Sequence, residues 1–216
     1  MLRLGEVFCW YNDPMSKTIL YIDGENIRHY LKTVLLNNGI KEKNLNLENF
    51  NLQKLFKNPL KGIKISQKRY YSAKLRLYPQ YKQTLDKSKK LILKQRIQKT
   101  SLEKQGFQFV IGGNVRPQKV RMDGKTKIVF REKGVDVQIA IDIATNACDK
   151  IVKTAILCSS DSDLQPAVKE ARLRKVEVIY LGFETSPNKG LSYTTNRTIL
   201  IRNSEILDAY KVSTAK

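Results

Sequence analysis

The chain has 216 residues, and 40 Lys and Arg against 20 Asp and Glu give it a formal net charge of +20 at pH 7. Its apolar runs are shorter than the roughly 20 residues that a membrane-spanning helix needs. Its three cysteines lack the CxxC spacing of zinc sites, so we interpret them as reduced thiols of a cytoplasmic protein. The charge indicates a polyanionic partner, because binding of Lys and Arg to phosphates releases counterions. A basic protein without such a partner is the alternative.

Apolar runs of strand length alternate with segments of helical periodicity along the chain. The predicted strands are residues 18–22, 63–72, 107–111, 153–158, 177–181 and 198–202. Helices are predicted at 24–36, within 40–58, at about 80–105 and from 134 to about 144. Two more are predicted, one from the acidic turn after the fourth strand to about 174 and one at 204–210, where Ser204 is the predicted cap. A flexible loop is predicted at 182–190. This alternation predicts an α/β fold with a central parallel sheet covered on both faces.

A basic β-hairpin is predicted within this α/β pattern, at residues 116–133. Residues 120–130 alternate around Asp123-Gly124, which is a strong hairpin signal. Neither a repeat nor a low-complexity linker divides the chain, so one domain is predicted at residues 17–212. Because Pro14-Met15 resembles a natural start, residues 1–16 are predicted to be an N-terminal extension outside the core.

Two of the predicted strands end in acidic residues. Asp23 follows the first strand, and Asp161 and Asp163 follow the fourth. Ligands of open parallel sheets bind beyond the carboxyl ends of the strands where the strand order reverses. Asp136 begins the helix that leads into the fourth strand and so can join the group. Carboxylates ~5 Å apart repel by roughly 3 kcal/mol per pair at an effective dielectric of ~20, and a divalent cation such as Mg²⁺ or Mn²⁺ removes that cost.

Each of these side chains has a simpler interpretation. An aspartate near a helix start also caps free N–H groups. Asp142, inside an apolar helix, is either a supporting acid or a buried partner of Lys133 or Arg131. Ser162 is either a hydrogen-bond donor to the site or a helix cap. His29, the one histidine of the chain, is either a general base or a surface residue.

Three blocks of the sequence resemble a known family. They are YIDGEN at residues 21–26, KGVDV at 133–137 with Asp142 six residues after Asp136, and SSDSDL at 159–164. In this order and spacing they are similar to the signature blocks of the NYN domain family, identified as the LabA-like branch of the PIN-like nuclease superfold. The likeness covers about residues 17–210. It departs from the family pattern at Ser160, often glycine, and at Leu164, often phenylalanine.

The resemblance implies a three-layer Rossmann-like (PIN-like) sandwich and metal-dependent cleavage of RNA. It implies that Mg²⁺ or Mn²⁺ is bound by Asp23, Asp136, Asp161 and Asp163, with Asn26 beside them to orient phosphate or water. Some NYN-like proteins act as binding modules, so a non-catalytic RNA-binding or scaffold module is the alternative. A metal-dependent phosphatase for small molecules is a third option, which the basic charge disfavours.

Positive charge is concentrated in three segments, residues 61–76, 82–104 and 116–133. Because the hairpin leads directly into Asp136, its cations are predicted to guide a nucleic-acid strand to the metal. The predicted contact residues are Arg121, Lys125, Lys127, Arg131 and Lys133 of the hairpin, and Lys90 and Lys94 of the long helix. Tyr70, Tyr71, Tyr78 and Tyr81 lie among these cations, and about half of them are expected to stack on bases and half to lie in the core. The predicted partner is single-stranded or structured RNA, and a homodimer is a further option.

Overall fold

The computed structural model describes the main chain of residues 17–122 and 125–214 and, in these ranges, all side chains except those of residues 83, 122 and 125–127. The predicted N-terminal extension and the predicted Asp123-Gly124 turn lie outside the described residues. None of the described helices is long and apolar enough to cross a membrane.

The described strands form one seven-stranded sheet. The strands are β1 Lys17–Asp23, β2 Gln67–Lys74, β3 Gln108–Met122, β4 Lys125–Lys133, β5 Val152–Cys158, β6 Glu177–Phe183 and β7 Arg197–Ile201. Their order is β4-β3-β2-β1-β5-β6-β7. All neighbours are parallel except β3 and β4, which are antiparallel. The chain adds strands outward from β1 in one direction and from β5 in the other, so the strand order reverses between β1 and β5.

Helices cover both faces of this sheet. They are α1 Gly24–Asn37, α2 Leu52–Lys57, α3 Leu85–Lys104, α4 Val135–Cys148, α5 Gln165–Leu173, α6 Lys189–Thr194 and α7 Asn203–Thr214. Leu20 and Ile22 of β1 pack in the core beneath α1, α2 and α7, whereas Ile19 and Tyr21 pack in the core beneath α4 and α5. Successive side chains of a strand point to opposite faces, so a strand buried on both sides is apolar throughout. The result is the predicted three-layer α/β sandwich.

Several predicted boundaries are wrong. The strand predicted at residues 107–111 does not end there, because β3 continues into the hairpin without a break. Gly113 permits this continuation, since a Cβ at this position would lie 2.3 Å from the carbonyl oxygen of Lys133. The loop predicted at 182–190 is shorter, because β6 extends to Phe183 and α6 begins at Lys189. Ser204 lies inside α7, which begins at Asn203, and therefore does not cap that helix.

Gly24 connects β1 to α1 by allowing a close approach. A Cβ at this position would lie 2.4 Å from the carbonyl oxygen of Tyr71 and 2.6 Å from the ring of Tyr70. The hydroxyl of Tyr70 donates to the carbonyl oxygen of Gly24 at 3.1 Å. Glycine thus lets the end of β2 pack against the first turn of α1, which holds the residues on either side of Gly24 at the edge of the sheet.

Candidate functional site

The candidate site lies at the carboxyl ends of β1 and β5. These strands are paired in parallel, with Ile22 opposite Cys158, so Asp23 and the turn that begins at Ser159 leave the sheet side by side. Asp136 arrives from the first turn of α4, after Gly134, whose φ of +90° is a left-handed conformation that glycine adopts without strain. Three separate segments of the sequence therefore bring carboxylates to one place.

Three of the four predicted metal ligands converge. One carboxylate oxygen each from Asp136, Asp161 and Asp163 lie within 4.8 Å of one another. Asp136 and Asp161 are half-buried, whereas Asp163 is exposed. Charges at this separation repel by roughly 3 kcal/mol per pair at an effective dielectric of ~20. A set of carboxylate oxygens is the donor set that Mg²⁺ and Mn²⁺ prefer, so these residues fit a divalent cation.

Asp23 lies beside this cluster and is buried. It lines the same cavity, of about 740 Å³, as Asp136 and Asp161. Its Oδ1 accepts a hydrogen bond from the backbone N–H of Asn26 at 3.1 Å, and its Oδ2 accepts one from the hydroxyl of Ser159, also at 3.1 Å. Burial raises the pKa of the Asp23 carboxyl above its ordinary value; the two hydrogen bonds lower it, and the charge of Asp161 raises it further.

Hydrogen bonds fix the acidic turn that carries Asp161 and Asp163. The backbone N–H of Ser160 donates to Oδ1 of Asn26 at 3.1 Å, and that of Asp161 donates to the hydroxyl of Ser159 at 3.2 Å. The backbone N–H of Asp163 donates to Oδ1 of Asp161 at 2.9 Å. Asn26, predicted to orient phosphate or water, therefore ties the first turn of α1 to the acidic turn through its side-chain oxygen.

Some of these aspartates also cap a helix. Asp23 caps α1, and Asp161 caps the 3₁₀ turn Ser162–Leu164. Ser162 is exposed inside that turn, so the cap predicted at Ser162 belongs to Asp161. Asp136, in contrast, makes no capping hydrogen bond, because the N-cap of α4 is Gly134. The Asp136 carboxylate lies in the first turn of α4, where the helix dipole favours negative charge, and it also belongs to the acidic cluster.

The predicted partners of Asp142 are wrong. Its Oδ2 lies 3.4 Å from Nη1 of Arg69 and accepts a hydrogen bond from the hydroxyl of Tyr71 at 2.7 Å, while its Oδ1 accepts one from Gln138 at 2.7 Å. Asp142 thus joins α4 to β2 and has Arg69 as its charged partner, not Lys133 or Arg131. Its carboxylate is not a member of the acidic cluster formed by the described residues.

Two acidic residues that the sequence analysis missed also line the cavity, together with His29. They are Glu25, which follows Gly24 in the first block, and Glu132, which precedes the second block. Burial raises the pKa of Glu132 to about 7, and the nearby charges of Glu25, Asp23 and Asp136 add to this effect. The signal that could have identified them was their position, Glu25 within the first block and Glu132 directly before the second, as acids in a strongly basic sequence.

The predicted RNA-binding cations lie on the hairpin and on α3, and one of them lies at this cavity. Lys133 lines it, Arg121 and Arg131 are exposed on the hairpin, and Lys90 and Lys94 are exposed on α3. Lys125 and Lys127 belong to β4, but their side chains lie outside the described part of the structure. Arg131 is directly opposite Arg116 across the hairpin, and like charges in that arrangement are destabilising unless an anion compensates them.

The four tyrosines of the basic segments divide between core and surface. Tyr70 and Tyr71 are buried, so neither is accessible to a base. Tyr78 and Tyr81 are partly exposed. Tyr78 donates from its hydroxyl to the carbonyl oxygen of Val115 at 2.6 Å, and this bond holds the base of the hairpin.

Comparison with protein-family models gives a match to the NYN domain over residues 17–202. Neither a curated protein nor a solved structure matches the chain significantly. The matched range extends from β1 to the end of β7 and includes all four predicted metal ligands, while the LabA-like branch remains a prediction. The chain therefore belongs to the NYN domain family, and its α/β sandwich is the PIN-like fold.

Proposed function

We propose that this chain is a metal-dependent endoribonuclease that hydrolyses phosphodiester bonds of RNA with Mg²⁺ or Mn²⁺. The observation that supports the proposal is the convergence of oxygens of Asp136, Asp161 and Asp163 within 4.8 Å, beside a cavity of about 740 Å³ that Asp136 and Asp161 line. The net charge of +20 favours a polyanionic substrate over a small phosphate ester. A cytoplasmic location and a homodimer stay predictions.

The residues of the site have different roles, which follow from their positions. Asp136, Asp161 and Asp163 hold the cation, which when bound supplies positive charge for a phosphate oxygen and lowers the pKa of a water molecule. Asp23, through the hydroxyl of Ser159, holds the acidic turn and adds negative charge beside the cluster. Lys133 on the cavity wall offers a positive charge to the phosphate.

A non-catalytic RNA-binding or scaffold module on the same fold is the second candidate. The exposed cations of the hairpin and α3 favour it as much as they favour a nuclease. It leaves the acidic cluster without a role, because grouped carboxylates repel RNA unless a cation neutralises them. The cluster therefore favours the nuclease.

Incubation of the purified protein with linear and circular RNA tests the proposal. We expect internal cuts with Mn²⁺ or Mg²⁺, opening of the circular RNA, no cleavage in EDTA, and recovery when the metal is returned. Cleavage that continues in EDTA would contradict the metal-dependent mechanism. RNA binding with no cleavage under any of these conditions would favour the non-catalytic module.

The affinity for single-stranded RNA is expected to fall steeply with salt, and part of this dependence is expected to come from the hairpin. Neutralising Arg116 and Arg131 together, as the double Gln variant, should reduce the slope of log affinity against log salt by about 1.4, because each lost phosphate contact on a single strand contributes ~0.7. Fluorescence anisotropy at salt concentrations between about 50 and 200 mM measures this change in slope.

The matched control removes the same two charges elsewhere. Lys153, near the amino end of β5, and Lys169 on α5 are both exposed, and their double Gln variant should keep the wild-type slope. An equal change in both double variants would contradict a specific contact by the hairpin. An affinity of the wild-type protein that does not change with salt would contradict binding of RNA phosphates by the basic surface.

A further inference from the structure

A second cavity adjoins the acidic one. It has a volume of about 570 Å³ and lies between α1, α3 and the base of the hairpin. Glu25, His29 and Glu132 line both cavities, so the second cavity opens beside the acidic cluster. Its size is within the range of small-molecule sites, roughly 300–1,000 Å³.

The walls of the second cavity combine apolar and amide side chains. Leu75, Leu91 and the ring of Phe130 supply the apolar surface, and Gln95 and Gln98 supply amides. An aromatic ring and apolar side chains offer a stacking surface to any base, and amides can bond to a base edge. The combination suits the planar, uncharged body of a nucleobase.

Hydrogen bonds hold the amide side chains of these walls in place. The amide nitrogen of Gln95 donates to the hydroxyl of Ser72 at 3.0 Å and to the carbonyl oxygen of Ala73 at 2.7 Å. The amide nitrogen of Gln98 donates to the hydroxyl of Tyr70 at 2.9 Å. The cavity is therefore built on fixed elements, α3 and the end of β2, which is what a selective site requires.

The charges around the cavity discriminate between a base and a phosphate. Glu25 and Glu132, where the two cavities meet, repel a phosphate but not a neutral base. Arg28 and Lys94 line the second cavity, and they share a single carboxylate, that of Glu48, at 3.6 and 3.5 Å. This trio therefore carries one net positive charge, which attracts the backbone of a bound strand.

We propose that the second cavity takes up the unpaired base of a nucleotide next to the phosphodiester bond that the acidic site cleaves. The preferred substrate is then single-stranded RNA or an unpaired position of folded RNA. This inference rests on the proposed nuclease function, and it adds that one base near the cut is held apart from its neighbours.

Cleavage of RNA oligonucleotides with a single abasic nucleotide, moved one position at a time, tests the inference. In the wild-type protein we expect one position near the cut to lower kcat/KM by about tenfold, because stacking of that base is lost. Leu91→Trp fills the cavity and should lower kcat/KM for the intact oligonucleotide about tenfold and abolish the position dependence. A uniform response of the wild-type protein to all abasic positions would overturn the inference while leaving the nuclease function intact.

Leu93→Trp is the matched control. Leu93 lies on the same helix and is 58% exposed, and two residues along an α-helix turn the side chain by about 200° around the axis. It should keep the wild-type abasic profile. Loss of position dependence in both Trp variants would contradict the assignment to this cavity.

Binding in EDTA separates failure of this inference from failure of the nuclease proposal. RNA with the fluorescent base 2-aminopurine at successive positions should show a change at one position on binding to the wild-type and Leu93→Trp proteins, and none with Leu91→Trp. If no RNA is cleaved but this change occurs, base uptake stands and the nuclease proposal fails. If no position responds in the wild-type protein, base uptake is overturned whether or not RNA is cleaved.

Discussion

Replacement of Asp161 by Asn is expected to lower the rate of RNA cleavage by at least about 100-fold, since even residues outside the metal shell cost 10–100-fold when removed. The substitution removes one negative charge from the cluster and leaves the shape of the side chain unchanged. An Asn side-chain oxygen still accepts the hydrogen bond that the N–H of Asp163 donates to Oδ1 of Asp161 at 2.9 Å. The substitution is therefore expected to lower the cleavage rate without unfolding the protein.

Two measurements separate these effects. The urea unfolding curve without metal should show a protein at least as stable as the wild type, because the substitution removes the repulsion of Asp161 by Asp136 and Asp163. The increase in melting temperature that Mn²⁺ gives the wild-type protein should, in contrast, be largely lost in Asp161→Asn. Asp208→Asn, at a mainly exposed carboxylate on α7, is the matched control and should cleave at the wild-type rate. Equal cleavage by Asp161→Asn and wild-type protein would contradict the proposed cluster and indicate a contaminating nuclease.

The position of the acidic residues was largely predictable from the sequence. Asp23 and Asp161 each end an apolar run, and parallel strands bring their carboxyl ends to the same edge of a sheet. Asp136 was predicted to join them because it begins the helix that leads into β5. Periodicity does not determine the order of strands in a sheet, so the pairing of β1 with β5 depended on the resemblance to the NYN domain.

The side-chain partners were not predictable in the same way. Asp142 pairs with Arg69, which is 73 residues away in the sequence, and only the packing of α4 on β2 brings them together. Glu132 was not predicted to belong to the site because it lies in a basic run, where a single acidic residue is expected to be exposed to solvent. Its burial depends on the register of the hairpin, in which Glu132 lies opposite Val115. Contacts of this kind depend on tertiary packing, which local sequence patterns do not encode.

Glu132→Gln is expected to stabilise the metal-free protein at pH 8 by about 2 kcal/mol. Burial, together with the charges of Glu25, Asp23 and Asp136, raises the pKa of Glu132 to about 7 in the folded protein, although a hydrogen bond from the N–H of Ala73 opposes the change. The full difference from the ordinary value of 4.5 corresponds to roughly 3 kcal/mol, which we reduce because solvent screens this half-buried group.

The pH dependence of this effect has a definite direction. Below about pH 4.5 Glu132 is protonated in the folded and the unfolded protein and contributes no difference. Between pH 4.5 and 7 the unfolded chain releases its proton while the folded protein retains it, so the free energy of unfolding decreases as the pH rises. Gln stays neutral throughout, so the stabilisation by Glu132→Gln should be absent near pH 4.5, grow through this window and be constant above pH 7.

Urea unfolding at pH 4.5, 6 and 8 in EDTA measures this difference, with Glu103→Gln on α3 as the control. Glu103 is exposed, and among the residues that the structure describes its ion-pair partner is Lys99, at 3.8 Å. Its replacement should therefore change stability by less than about 0.5 kcal/mol at every pH. A bound divalent cation attracts the ionised form of Glu132, so Mn²⁺ at pH 8 should reduce the advantage of Glu132→Gln. If the Gln variant were less stable than wild-type protein at pH 8, the Glu132 carboxylate would not be repelled by the acidic cluster, and the shared wall of the two cavities would need a different electrostatic explanation.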